Sequence, residues 1–542
     1  MFFYKALVTK SEICFESNIP RFKCVDGFVH FDIENNQEDE LVSAVNLFEK
    51  KGIFVRETEE YLEVYNDPYC SIPIYVYTNE DEVCLTSSFV ELLDNPLHID
   101  KVGVYETLYF GSALHDRTMF REIKQLPAAS YVKINKMTRD FCIETYWDFD
   151  IRENSDIQSE DEAADTVWDA LCDVFKAYRD KDLLMGISGG LDSRLSLCVL
   201  NQVADINKTD TFTFGHNKKI LDYTLAKKVC EELGMKKGPE FFKLDGEAYL
   251  DSMSLPVKSG GAIGIHHSHA YWCLQQMDTE NKTLVSNYYS DAIMGYDCVK
   301  IDYEDTVENC DYYKKVMEDR WHLSEEIKQE ICNDIRKITS RRKQNANFSC
   351  YNEFIYLVER NPKFHIRLSH MYSEHMEVVL PYAQFTVLET LISLPLKYRY
   401  RKKIEYLILA RKFKDMRDIS STRYAAFDDA EQSKWSKLYY DMGFLRMRAV
   451  NMTNCGLGII SSGRWHLSNK YITENHLMIM NKYFLEYRKQ ACKDLFERGI
   501  ITEQQKENIS KVCRRTQDAH IAFDLISAWA VLKLGKYEDK KI

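Results

Sequence analysis

Leu183-Leu184-Met185-Gly186-Ile187-Ser188-Gly189-Gly190-Leu191-Asp192-Ser193-Arg194 reads as a short buried strand, a glycine turn and the first turn of a helix. The helix continues through Leu195, Leu197, Val199 and Leu200. A strand that passes into a helix through two glycines lets backbone N–H groups approach an anion closely, and the helix N-terminus adds partial positive charge. Ser188 and Ser193 bring hydroxyl donors, and Asp192 has the chemistry to hold a divalent cation beside phosphate oxygens. No Gly-Lys-Ser/Thr ending follows, so the turn is not the loop that cradles a transferred γ-phosphate.

The order Ser188-Gly189-Gly190-Leu191-Asp192-Ser193 resembles the pyrophosphate loop of ATP pyrophosphatases, which split ATP into AMP and pyrophosphate. The resemblance implies that these six residues bind ATP; the plainer alternative is a structural Gly-Gly turn. Downstream, Thr211-Phe212-Thr213-Phe214-Gly215 reads as the next buried strand, and Tyr223 to Leu233 as a helix. Alternating strands and helices at this spacing predict a parallel sheet with right-handed crossovers, whose ligands bind at the carboxyl ends of strands. Phe214 and Gly215 would then share one edge with the Ser188–Ser193 loop. Upstream, Ala163, Val167, Trp168, Leu171, Val174 and Phe175 recur at helical spacing and predict an amphipathic helix leading into the loop.

The first 150 residues are strand-rich. Tyr61 to Tyr65, Ile72 to Tyr77, Val83 to Thr86, Ser130 to Ile134 and Tyr146 to Phe149 read as extended, and Val102 to Phe110 as helical. The sequence Asp67-Pro68, Thr86-Ser87-Ser88, Phe110-Gly111, Thr118-Met119-Phe120-Arg121 through Leu126-Pro127, and Tyr146-Trp147 is similar to the N-terminal domain of the asparagine synthetase family. In glutamine-dependent members that domain is an amidotransferase whose nucleophile is a cysteine in second place. Here Phe2 stands there, and a phenyl ring neither attacks an amide nor carries an acyl group. Cys14 and Cys24 lie inside the chain, so the resemblance implies a scaffold without glutaminase activity.

Further motifs resemble the same family. Ser286, Ser290, Asp291, Gly295 and Tyr296 match its second active-site segment, and the resemblance implies that Asp291 shares Mg²⁺ and pyrophosphate with Asp192. The glutamate of asparagine synthetases is Tyr288 here, as in β-lactam synthetase, where the attacking amine belongs to the substrate; the alternative is that Tyr288 only packs. The acidic residue after the aspartate is Ala292. Val378 to Gln384 resembles the Val-Pro-Phe-Leu-Asp segment with Gln384 in place of the aspartate, and Tyr398 to Lys403 matches the following helix in type. The catalytic lysine of an Arg-x-Lys stretch has no counterpart in register in Ser421 to Phe427. Arg423 either supplies that charge as a fixed planar cation or is a surface arginine. Glu359, Arg360 and Arg367 fall where the family's helical lid-side contacts lie. The cluster His266-His267-Ser268-His269 suggests a pocket lining rather than zinc, because adjacent histidines do not share a helix face.

Composition bounds the rest. The 542 residues include 45% hydrophobic and 29% charged ones, the mark of a globular chain with room for more than one core. A net charge of -13 excludes a broad nucleic-acid-binding surface. Sixteen scattered cysteines without a C-x-x-C pair read as reduced thiols. The start MFFYKALVTK lacks a leader's long apolar run, and Ile521 to Leu534 is too short and too broken by Asp524 and Lys533 for a membrane span. A cytoplasmic protein without membrane or nucleic-acid partners is expected.

The expected fold is an α+β sandwich of the N-terminal-nucleophile hydrolase type over residues 1–150, a degenerate amidotransferase-like domain. An α/β adenine-nucleotide α-hydrolase-like (PP-loop) domain would follow over 155–430, with a helical extension over 431–542. The expected activity is an ATP- and Mg²⁺-dependent ligase that adenylates a carboxylate and joins it to an amine. Tyr288 and Arg423 are the catalytic candidates, and Asp192 and Asp291 the metal candidates. The partners are a small-molecule or peptide carboxylate and either free ammonia or a substrate amine. The substrate-amine version covers cyclases and amidating enzymes of natural-product, lasso-peptide or surface-polysaccharide synthesis. A nucleotide-binding protein without turnover is the remaining alternative.

Overall fold

A computed structural model describes residues 3–9, 13–19, 21–23, 28–32, 51–295, 298–301, 303–419, 482–512 and 519–534, with isolated positions between 445 and 467. Phe2, Cys24, Tyr296 and the whole Ser421–Phe427 stretch with Arg423 lie outside the described residues.

Period-two burial builds the N-terminal part. Along Tyr4–Thr9, buried and half-buried residues alternate, as a strand with one face in a core requires. A five-stranded antiparallel sheet runs in the order Ile13–Ser17, Tyr4–Thr9, Glu82–Thr86, Tyr75–Thr78, Ile123–Gln125. A six-stranded antiparallel sheet runs Phe141–Thr145, Ser130–Asn135, Tyr61–Asn66, Gly52–Glu57, Phe28–Asp32, Arg21–Lys23. Tyr4, Ala6, Val8, Val76 and Leu85 of the first meet Ile53, Val55, Leu62, Val64 and Val132 of the second in one core.

Two sequence expectations shift here. The strand predicted to begin at Ile72 begins at Tyr75, since Pro73 has no N–H to give a ladder. The extended stretch expected at Tyr146 to Phe149 lies past the end of Phe141–Thr145 and outside any sheet. Its rings turn inward instead: Tyr146 Oη donates to the Asn66 carbonyl (2.7 Å), and Trp147 packs edge-on against Phe149 and Phe385.

The helix Glu160–Lys176 carries the chain into the second half. Ser159 and Glu162 close its N-terminus as a capping box, and Ala163, Val167, Leu171 and Phe175 are buried on one face. A five-stranded sheet follows, all parallel, in the order Glu240–Lys243, Thr209–Gly215, Leu183–Gly186, Thr283–Val285, Glu377–Val379. The chain adds two strands on one side of Leu183–Gly186 and then two on the other. The strand order therefore reverses between Leu183–Gly186 and Thr283–Val285, and such a reversal opens a crevice at the carboxyl ends of the two strands.

Helices cover the sheet and bridge to the sandwich. The strongly charged helix Glu325–Thr339 exposes one side and buries Ile331, Ile335 and Ile338 on the other. Ala519–Leu534, apolar nearly all round, is buried against Lys101–Phe110. No helix among the described residues is long and apolar enough to cross a membrane. The protein is thus a mixed α/β molecule with antiparallel sheets in its N-terminal part and one parallel sheet among many helices.

Candidate active site

The Leu183–Gly186 strand ends in the Ile187–Leu191 turn, and the helix Asp192–Val203 begins at its far side. Gly186 is needed for packing, because a Cβ there would lie 3.3 Å from the Phe212 ring of the adjacent strand. The turn is closed on itself. The Ser188 N–H meets Ser193 Oγ (3.3 Å), the Gly190 N–H meets Ser188 Oγ (3.1 Å), and the Gly189 N–H donates to Asp222 Oδ1 (2.9 Å). The Asp222 carboxylate oxygen on the Gly189 N–H shows that this amide donates to an anionic oxygen. Arg194, fully buried, clamps the turn from behind through the carbonyls of Gly189, Met416 and Ile419. Phe214 and Gly215 end the neighbouring strand on the same edge, with the Phe214 ring 4.3 Å from His269.

The second segment enters from the other side of the crevice. Ser286 at the end of Thr283–Val285 donates its N–H to the Val379 carbonyl (3.0 Å), and Ser196 Oγ donates to Asn287 Oδ1 (2.7 Å). Tyr289 then takes a left-handed backbone (φ 87°), an arrangement that costs a non-glycine residue about 1–3 kcal/mol. Its ring is fully buried edge-on against Tyr69, which holds the strain in place. The short helix Ser290–Ile293 follows, and Ser290 Oγ donates to Asp192 Oδ1 (2.8 Å). Asp192 and Asp291 are thereby brought face to face.

Lys402 occupies the point where they converge. Its ammonium lies 2.6 Å from Asp192 Oδ1, pairs with Asp291 Oδ1, and is 3.7 Å from Glu405. Arg401 (φ 53°) and Lys402 (φ 60°) are two consecutive left-handed residues, each costing about 1–2 kcal/mol. Neighbouring anchors fix this turn. Arg399, fully buried, pairs with Glu353 and donates to the Asn347 carbonyl (2.7 Å). Gly295 (φ +82°) lies so close beneath it that a Cβ would sit 2.2 Å from the Arg399 carbonyl oxygen.

The charges at this point settle each other. Burial would lift the Asp192 carboxyl, but the Lys402 ammonium and the hydrogen bonds it receives hold it below the usual carboxylate range. Burial would likewise lower Lys402, and Asp192, Glu405 and Asp291 together raise it, so the ammonium keeps its proton. Glu405, fully buried, is pushed well above the usual carboxylate range by burial and by the Asp192 charge.

The structure therefore brings together Ser188, Gly189, Gly190, Leu191, Asp192, Ser193 and Asp291, all named from sequence, and adds Lys402, which was not. The Tyr398–Lys403 run was matched only as a helix type. Its signal was a cation three residues before a lone carboxylate, Glu405, in the otherwise apolar Ile404 to Leu409 stretch. Arg423, proposed for the missing cation, lies outside the described residues.

Tyr288 stands beside this centre. Its hydroxyl meets Tyr372 Oη (3.0 Å), and its ring stacks on His365 at 5.2 Å. Burial pushes the Tyr288 phenol up to about 12 and the His365 imidazole down to about 3, so both are neutral near pH 7. His365 lies in Tyr356–Ile366, a π-helix interrupted by Pro362, which has no N–H for helical bonding. Glu359 and Lys363 of this segment pair at 2.5 Å and bind the backbone of His115, and Lys363 also takes the Ala113 carbonyl. Arg367 donates to Tyr75 Oη. These residues tie the helical layer to the N-terminal part and do not reach the carboxylates. His266 and His267 lie in a short turn with rings 3.9 Å apart, the latter against Phe364. Among the described residues, no group of three or more His, Cys, Asp or Glu side chains forms a metal cluster.

Asp192 and Asp291 nevertheless fit a single Mg²⁺. Mg²⁺ at phosphate sites takes one or two carboxylates and completes its sphere from phosphate and water, which matches this donor pair; the point on which the two carboxylates now converge is held by the Lys402 ammonium, which such an ion would displace. Comparison of the chain with models of known protein families and with curated proteins returned no match.

Proposed function

We propose that this chain is an ATP-dependent carbon–nitrogen ligase of the asparagine-synthetase type, built on a PP-loop domain behind an N-terminal-nucleophile-type sandwich. It would adenylate a carboxylate with release of pyrophosphate and pass the acyl group to an amine. The observation that carries this reading is the convergence of Asp192, Asp291 and Lys402 beside a Ser-Gly-Gly turn, at the point where the parallel strand order reverses.

In this reading the turn holds the pyrophosphate. Asp222 gives up the Gly189 amide to a phosphate oxygen, and the Ser188 and Ser193 hydroxyls, now bonded within the turn, reorient outward. Lys402 keeps its proton and places a fixed positive charge against the leaving group, where charge develops as the acyl–AMP bond forms. Asp192 and Asp291 would hold Mg²⁺, which when bound supplies further neutralisation of phosphate charge. Burial and the Asp192 charge push the Glu405 carboxyl up, which disfavours a third negative charge in the cluster. Tyr288 retains its proton and so serves as a hydrogen-bond donor to the acyl oxygen, not as the base for the amine.

The test is carboxylate-dependent exchange of labelled pyrophosphate into ATP, with Mg²⁺, a pool of candidate acids and Asp192→Asn as control. Exchange that needs an acid and disappears in the variant is expected. ATP binding without exchange for any acid would point to the nucleotide-binding alternative.

A further inference from the structure

A second cavity, of about 730 Å³, lies behind the π-helix, on the far side of His365 from Tyr288. That volume is in the range that encloses a small-molecule ligand. Its walls come from the end of the Lys101–Phe110 helix, the His266–His267 turn, the Asp311–Met317 helix, the π-helix and the last helix. Ring walls dominate: Tyr312 stacks on Phe110 at 4.7 Å, and Tyr356 and Phe364 flank Arg360.

The charges lining this cavity do not cancel. Lys314 and Arg320 are offset by Asp311 and Glu318, which leaves Arg360 and Lys315 against Asp524. Arg360 is half-buried, and its guanidinium lies over the Tyr356 and Phe364 rings at 5.6 and 4.8 Å. Among the described residues it hydrogen-bonds the Tyr356 hydroxyl and, at a long 3.4 Å, the Phe110 carbonyl, and no carboxylate forms an ion pair with it. Lys315 likewise has no ion pair there. A guanidinium has five N–H donors in a planar fork that matches a carboxylate, and most of these donors are unused.

We propose that this cavity binds a small carboxylate-bearing molecule with an aromatic body, its carboxylate on Arg360 and Lys315 and its body among the ring walls. Asp524 sets the limit on charge. Burial lifts its carboxyl to about 7 while Arg360 and Lys315 pull it down, so the site takes a single anion in preference to a polyanion. Phe364 touches His365 at 4.8 Å, and His365 stacks on Tyr288, so three rings lie between this cavity and the adenylation centre. This binding does not rest on the function proposed above.

The experiment is calorimetric titration of the full chain with hippurate, benzoate and indole-3-acetate, and with hippuramide as the neutral isostere of hippurate. At least one of the three acids is expected to bind. Hippurate should bind about tenfold or more tightly than hippuramide, the worth of a charge-assisted hydrogen-bond pair. Arg360→Met should remove that preference and Asp192→Asn should leave it intact, which separates this site from the ATP site. If Arg360→Met does not fold, Lys315→Gln, on an exposed side chain, should still weaken acid binding severalfold. Equal binding of hippurate and hippuramide, no binding of any of the three acids, or undiminished binding in both variants would overturn the proposal.

Discussion

Lys402, at the carboxyl edge of the parallel sheet, has Asp192 at 2.6 Å, Asp291 in contact and Glu405 at 3.7 Å. Arg360, beside the cavity behind the π-helix, has two aromatic rings, the Tyr356 hydroxyl and one long bond to a carbonyl. Both cations are withdrawn from bulk water, and a withdrawn charge is costly unless it is paired. The first is paired by the protein before any ligand arrives, and the carboxylates that offset its burial are reached only through strained backbone around it. The second is left for a ligand to pair. A preorganised cluster of the first kind suits charge that develops during a reaction, and an unpaired cation of the second kind suits recognition of an anion.

The sharpest way to break this contrast is to remove the balanced cation. Lys402→Met should lower carboxylate-dependent ATP–pyrophosphate exchange by about 10²–10³-fold, the usual loss for one preorganised electrostatic group. It should also cost about 3–5 kcal/mol in urea unfolding, because Asp192 and Asp291 are left facing each other without compensation. Mg²⁺ should then raise the melting temperature of the variant more than that of the native chain. An unchanged stability would mean that the cluster is not the charge-balanced unit its geometry describes.

Next in size is the turn that delivers Lys402. Gly295→Ala places a methyl group 2.2 Å from the Arg399 carbonyl oxygen and at φ +82°. It should destabilise the fold by about 1–3 kcal/mol and reduce exchange as the Arg399–Lys402 segment is displaced. Gly499→Ala, also at positive φ (+66°) but with nothing within 4 Å, should cost stability alone.

How much of this was legible in the sequence depends on how the chain assembles each feature. The loop was readable because Ser188 to Ser193 are consecutive and their spacing is the chemistry. Asp291 was named through the resemblance of Ser286, Ser290, Asp291, Gly295 and Tyr296 to a known active-site segment. The parallel sheet followed from alternating strands and helices, although its reversal of strand order is a long-range fact. Lys402 was not readable as a site residue, because it is one of four cations between Arg399 and Lys403, and two left-handed residues decide which one points inward. Propensity does not forecast consecutive left-handed residues at Arg and Lys; tertiary anchors at Glu353, Asn347 and Gly295 impose them. The π-helix had a trace in Pro362, but its role in placing Arg360 and His365 on opposite sides depends on packing.

The protonation of the cluster gives a subtler test. Glu405 has a folded-state pKa raised above its ordinary value of 4.5, so the native chain holds a proton that the unfolded chain releases. Its contribution is fully present below that value and is lost as pH rises towards its folded pKa. Glu405→Gln has no such proton to lose, so its stability relative to the native chain should grow between pH 4.5 and neutrality in urea melts at successive pH values. A constant difference across that range would mean that Glu405 is ionised in the folded protein.

The smallest expected effect lies between the two regions. Tyr288→Phe removes one hydroxyl that meets Tyr372 Oη at 3.0 Å and should cost about 1 kcal/mol of stability. In the function proposed above Tyr288 acts on the acyl group and not on pyrophosphate release, so exchange should fall only severalfold while amide formation falls further. Equal losses in both assays would assign the tyrosine to the adenylation step.

The central claim is that Asp192, Asp291 and Lys402 form the pyrophosphate end of an ATP site. Calorimetric titration of pyrophosphate with Mg²⁺ into the native chain and into Lys402→Met tests it most directly. The account predicts saturable binding to the native chain and a loss of about tenfold or more in the variant, the worth of one charged hydrogen-bonding partner. Native-like binding in a folded Lys402→Met chain, or no binding to the native chain, would contradict it.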